Sequence, residues 1–141
     1  MFLLDTNVIS ESVRPQPDLN VIRWLASLSP AQMFLSAIVK AELLSGVEQM
    51  PSGKRRDTLA QSLRGFFGLI VTQNCIGFGV EESEHYARIY AKRKRLGTPI
   101  DEMDALIAAS SSACGLGLAT RNIKHFENCG ISLINPWEFS G

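Results

Sequence analysis

Phe2, Leu3 and Leu4 form an unbroken apolar run that stops at a carboxylate, Asp5. A strand with one wet face alternates apolar and polar residues. A run without alternation belongs in the middle of a parallel sheet, buried on both faces. Parallel neighbours are joined by crossovers, usually helical, so this feature commits the chain to strands alternating with helices. It also puts Asp5 at the C-terminal end of a central strand, where open α/β sheets bind their ligands. Asp is equally a common N-cap, and Val8-Ile9-Ser10-Glu11 after it has a helical pattern, so both readings of Asp5 stand at this point.

The rest of the chain keeps the alternation. Arg14-Pro15-Gln16-Pro17-Asp18 is a loop, since two close prolines stop a helix. A helix follows over about Leu19–Leu28, then a second short apolar strand, Met33-Phe34-Leu35. Ser36 is placed to cap a helix from Ala37 to about Gln49. After Met50-Pro51-Ser52-Gly53, a helix opening at Lys54 carries Leu59, Leu63, Phe66, Phe67 and Ile70 as one apolar stripe. Ile76–Phe78 reads as a third strand and Val80–Leu96 as a helix, ended by cations and Gly97. Asp101 opens a helix to about Cys114 with Met103, Leu106, Ile107 and Ser110 toward the core. Leu116–Thr120 is a strand, Ile123–Glu127 a short helix, and Ile131–Ile134 the last strand. The expected fold is a three-layer α/β domain: a central, mostly parallel sheet of four to five strands flanked by helices.

At 141 residues the chain fits one domain, residues 1–141. Its formal net charge is zero, so bulk charge does not draw it to nucleic acid, and any such partner must meet a local patch. Lys54-Arg55-Arg56, Lys92–Arg95 and Arg121 with Lys124 are the local cations. The Lys92–Arg95 run reads as a solvated helix end. Cys75, Cys114 and Cys129 are an odd set at wide spacing, which suits reduced thiols rather than a disulfide framework or zinc motif. No basic leader precedes the first strand and no apolar run reaches the ~18 residues of a membrane span. The expectation is a cytoplasmic protein with no membrane partner.

Three acids lie in otherwise apolar surroundings: Asp5, Glu42 and Asp104. Glu42 is mid-helix, where a solvated Glu is ordinary. Asp104 stands three residues after Asp101, as an acid in a helix's first turn often does. Taken together they differ from three unrelated acids. Carboxylates brought together repel, burial adds to the cost, and a divalent cation removes it. Hard oxygen donors with amide and hydroxyl neighbours suit Mg2+ or Mn2+.

Four segments in order, Leu3–Ile9, Leu35–Gly46, Asp104–Ala109 and Ala119–Asn122, together with Asn135-Pro136-Trp137, resemble PIN-domain ribonucleases. The likeness is strongest to VapC-type toxins of bacterial toxin–antitoxin pairs and to the FitB group. The resemblance implies a PIN-like fold and the toxin of a type II toxin–antitoxin system, an Mg2+-dependent (or Mn2+-dependent) ribonuclease that hydrolyses RNA phosphodiesters with metal-activated water. It implies Asp5 and Asp104 as principal metal ligands, with Glu42 acting through water or at a second metal position. Thr6 and Asn7 would orient Asp5, and Thr120 and Asn122 would sit at the rim of the site; of the local cations, Arg121 is the expected phosphate contact because it adjoins that site. It further implies a homodimer and a cognate antitoxin. Asn122 and His125 depart from the pattern, in which both positions often carry an acid. An amide brings no charge, so a one-metal site is expected. The alternative is a catalytically weakened PIN-fold binding module that acts through its dimer and antitoxin contacts.

Overall fold

The computed structural model describes all residues, 1–141. Its strands are β1 (Phe2–Leu4), β2 (Met33–Ser36), β3 (Cys75–Ile76), β4 (Gly117–Ala119) and β5 (Leu133–Ile134). Its helices are α1 (Thr6–Ser12), α2 (Leu19–Ala26), α3 (Ala37–Glu48), α4 (Lys54–Leu69), α5 (Val80–Arg95) and α6 (Glu102–Ala113). The five strands form one sheet in the order β3-β2-β1-β4-β5, and every pairing is parallel.

β1 is the central strand, with Leu3 and Leu4 fully buried, as an unalternating run requires. The chain builds outward from β1 through β2 to β3, then crosses back to lay β4 against the other side of β1. The strand order therefore reverses between β1 and β4. A crevice at such a reversal, outside the carboxyl ends of the strands, is where open sheets hold ligands. Asp5 leaves β1 at that point and Thr120 leaves β4 beside it; the Asp5 N–H donates to the Ala119 carbonyl at 2.9 Å.

Short polar side chains start the helices on either side of the crevice. Ser36 Oγ accepts from the N–H groups of Ile38 and Val39 at 3.0 and 3.2 Å, and so opens α3 straight off β2. Asp101 opens α6 in the same way, accepting from Met103 and Asp104. α3 and α6 meet, which brings Glu42 and Asp104 to the same region. In the core, Phe2 packs edge-on to Trp24 with ring centroids 5.3 Å apart.

The structure moves three expectations. The apolar pattern places the third strand at Ile76–Phe78, but the register pairs Leu35 with Cys75 and Ser36 with Ile76, and the chain then turns off toward Gly79 at the start of α5. The last strand is only Leu133–Ile134, the length over which β4 offers partners. Met103 is 39% exposed rather than buried, because α6 turns its small side chains, Ala105, Ala108 and Ala109, into the core. Small residues let that helix sit close to its neighbours.

Candidate functional site

Asp5 serves as cap and as buried charge together. Its Oδ1 accepts from the Thr6 N–H at 2.8 Å, capping α1. Its Oδ2 accepts from the Thr120 hydroxyl at 2.7 Å and from Asn7 Nδ2 at 3.4 Å. Asp5 is only 5% exposed, and burial pushes its carboxyl above the ordinary value; the Thr120 hydroxyl and Thr6 N–H pull it back down, and the charge of Asp104 adds to the rise. A carboxylate that needs no second role is rarely kept at such a cost on a sheet's ligand edge.

Thr120 lies at the floor of the crevice rather than at its rim. It is fully buried, so it reaches Asp5 and not solvent. Its Oγ1 also accepts from the Asn122 N–H at 3.0 Å. Asn7 ties the two strand ends together: its Nδ2 faces Asp5 and Thr120, while its Oδ1 accepts from the Arg121 N–H at 3.3 Å. Arg121 and Asn122 are exposed. Thr6 Oγ1 is the single buried side-chain oxygen or nitrogen without a hydrogen-bond partner, and it adjoins Asp5. Thr120→Val keeps the shape but removes the shortest donor to Asp5 and an acceptor for Asn122. The variant is expected to lose about 1–3 kcal/mol of stability, the cost of a buried polar group left unpaired, measured by urea denaturation.

Asp104 stands across from Asp5 on the first turn of α6. Burial pushes its carboxyl up; His125 opposes the rise, and the charges of Asp101 and Glu42 add to it. His125 Nδ1 lies 3.3 Å from Asp104 Oδ2, with the His side chain 57% exposed. His125 is thus part of the site, where sequence alone reads an exposed helix histidine. Its position on the 3₁₀ turn Ile123–Phe126, after β4, brings it there. A small cleft of about 260 Å³ lies on this side, with Lys124, His125, Asp101 and Asp104 in its wall. A larger groove, about 1170 Å³, lies elsewhere, between Arg14-Pro15 and the start of α4, and holds none of the three acids.

Glu42, on α3, is half-buried. Its charge is felt at Asp104, but it does not close with the two aspartates into a cage: no three His, Cys, Asp or Glu side chains come together closely enough to hold a metal. The donor set still fits one hard divalent cation. Mg2+ is commonly held by one or two carboxylates, the remaining positions going to water and substrate phosphate. Asp5 and Asp104, the first raised in part by the charge of the second, are the two carboxylates that would supply those hard donors.

Sequence reasoning missed Arg93, in the run read as a solvated helix end. It is 6% exposed and donates to the carbonyls of Thr98, His125 and Glu127. Its neighbours Lys92, Lys94 and Arg95 are exposed, as expected. Helical phase was the available signal: Arg93 falls four residues after Ile89, on the buried side of α5.

Known proteins resemble this chain along its length. The chain is 39% identical over 138 residues to VapC ribonuclease Y4jK of Sinorhizobium fredii, covering 98% of this chain and 99% of that one. It is 37% identical over 137 residues to Toxin FitB of Neisseria gonorrhoeae, covering 97% and 99%. The solved structure of FitAB bound to an IR36 DNA fragment superposes with a TM-score of 0.92 at 34% identity, over 100% of this chain and 99% of that one. The family model for the PIN domain matches residues 2–130, a span that runs from β1 through the crevice acids to the turn carrying His125. With the reversal between β1 and β4, the buried Asp5 and the Asp104 opposite it all inside that match, the chain belongs to the PIN domain family.

Proposed function

We propose that the chain is a metal-dependent ribonuclease, the toxin of a type II toxin–antitoxin pair. The observation that carries this is the pair Asp5 and Asp104, two carboxylates that burial pushes above the ordinary value, with the charge of Asp104 adding to the rise at Asp5. Relatives along its full length are named as a VapC ribonuclease and as a toxin, which supports both halves of the reading. FitAB bound to DNA supports an antitoxin partner and a toxin–antitoxin complex on DNA. No helix is long and apolar enough to cross a membrane, in keeping with a cytoplasmic toxin.

Asp5 and Asp104 would hold the cation, Mg2+ or Mn2+, with Glu42 reaching it through water. When bound, such a cation neutralises charge on a phosphoryl group and lowers the pKa of water. The protein's own residues prepare the site. Thr120 and the Thr6 N–H fix both oxygens of Asp5, and Asn7 holds the two strand ends in register. His125 braces Asp104. Arg121, exposed at the crevice, brings positive charge for the RNA backbone in a chain with no net charge of its own. Asn122 offers an amide and no charge, which favours one cation over two.

The test is cleavage of a panel of structured and single-stranded RNAs with Mg2+ or Mn2+, against EDTA and against Asp5→Asn. Metal-dependent cutting that disappears in the variant is the expected result. Cutting in EDTA, or full activity in Asp5→Asn, would overturn the reading. A folded protein that binds Mn2+ and its antitoxin yet cuts no RNA would instead favour the binding module.

A further inference from the structure

Resting on the ribonuclease reading, we propose that Trp137 is a positioning residue for the substrate: it holds the Arg121 guanidinium flat at the mouth of the crevice, where the guanidinium grips an RNA phosphate. The Arg121 guanidinium carbon lies 5.1 Å from the centroid of the Trp137 ring. Both ends of this stack are fixed to the rest of the molecule. The Arg121 N–H donates to Asn7 Oδ1, and Asn7 Nδ2 donates to Asp5 Oδ2, so the arginine backbone stands two hydrogen bonds from the buried carboxylate. On the other side, the Trp137 N–H donates to Asn135 Oδ1 at 3.0 Å, and its carbonyl accepts from Asn20 Nδ2 at 2.8 Å. Pro136 between them is buried. The ring is therefore a rigid plate anchored to α2, although it lies in the last residues of the chain.

Arg121 makes no ion pair. The chain's ion pairs are Arg14 with Glu11, Arg56 with Glu48, and His125 with Asp104. An exposed arginine with no anionic partner normally samples many rotamers, and ordering it opposes binding. Stacked on an indole, it has that ordering done beforehand, while its planar edge still presents paired N–H donors that match two phosphate oxygens. A lysine cannot substitute, since an ammonium neither lies flat nor offers a fork.

The experiment measures KM and kcat separately for a labelled single-stranded RNA with Mg2+, in wild type, Arg121→Lys, Trp137→Phe and Trp137→Leu. Arg121→Lys and Trp137→Leu are expected to raise KM by about 10-fold with kcat within about 2-fold, and Trp137→Phe, which keeps an aromatic face, to stay near wild type. A second readout is acrylamide quenching of tryptophan in Asp104→Asn, which is expected to hold RNA without cutting it. RNA is expected to shield Trp137, while Trp24, 2% exposed, stays silent with or without RNA. Wild-type KM in Arg121→Lys, or equal losses in Trp137→Phe and Trp137→Leu matched by a fall in melting temperature, would overturn the proposal and leave the ribonuclease standing. Arg121→Lys is a surface change and decides the matter even where Trp137→Leu unfolds. Wild-type protein that neither cuts nor is shielded by RNA would overturn both.

Discussion

Asp104→Asn abolishes RNA cleavage and leaves the fold intact: that is the expected result with the greatest leverage on function. Asp104 is the more accessible of the two aspartates, with its side chain 23% exposed, and its only side-chain partner is His125. Replacing one oxygen by an amide keeps the size and the helix start, since Asp101 caps α6 and not Asp104. What goes is one unit of negative charge facing Asp5. Loss of a single pre-organised electrostatic group costs about 10²–10³-fold in turnover, and loss of Asp104 as the proposed metal ligand should cost at least that. The expected stability change has the opposite sign. Burial raises the carboxyls of Asp104 and Asp5 above their unfolded values. A raised carboxyl favours folding below its unfolded pKa, and that contribution is lost as pH climbs through the folded one. At neutral pH, without metal, both ions therefore oppose folding. In EDTA at pH 7 the variant should melt no lower than wild type, and any gain should shrink as pH falls through the carboxylate range. Added Mn2+ should raise the melting temperature of wild type and not of the variant. Full cleavage by the variant, or a Mn2+ shift as large as wild type's, would remove Asp104 from the site.

Sequence alone reaches far into this molecule because its strongest signals are short-range. Phe2-Leu3-Leu4 fixes a buried parallel strand, Ser36 and Asp101 mark helix starts, and the strand–helix alternation leaves little choice of architecture. Of the three acids singled out in the sequence, Asp5 and Asp104 come to the same crevice, while Glu42 does not close with them into a cage. What was not legible depends on three-dimensional register. Thr120 and Asn122 are two residues apart, yet one is the buried floor under Asp5 and the other is open to solvent. His125 meets Asp104 only because a 3₁₀ turn follows β4 directly. The stack of Arg121 on Trp137 joins residues that no local pattern links. Arg93 was hidden for another reason: four consecutive cations look like a solvated helix end, and only the phase of α5 separates the buried one from the rest.

Arg93 is also where the largest loss of stability is expected. It leaves the last turn of α5 just before Gly97, whose φ of +76° turns the chain away toward α6. Nε donates to the Thr98 carbonyl at 2.7 Å, and Nη1 to the carbonyls of His125 and Glu127 at 2.7 and 3.1 Å. One guanidinium therefore joins the end of α5, the loop into α6 and the turn that carries His125. No carboxylate neutralises it; its charge is met by these carbonyls, the Thr98 hydroxyl and the Cys129 sulfur. Arg93→Met fills much of the same volume but leaves three partly buried carbonyls without their donor. At roughly 1–2 kcal/mol for each, the loss is about 3–6 kcal/mol, and for a domain of this size the melting temperature should fall by roughly 10–20 °C. Arg93→Lys should recover little, because a point ammonium cannot span acceptors on three segments. The same substitution tests the wiring of the site. His125 is held at Asp104 through its own carbonyl's bond to Arg93, so freeing that turn should loosen the Asp104 side of the crevice while β1, Asp5 and Thr120 stay in place. At a temperature where the variant is still folded, RNA cleavage should drop while the hydrogen-exchange protection of the β1 amides persists. A variant that melts within about 2 °C of wild type would show that the three carbonyls find other donors, and Arg93 would return to the surface role its neighbours play.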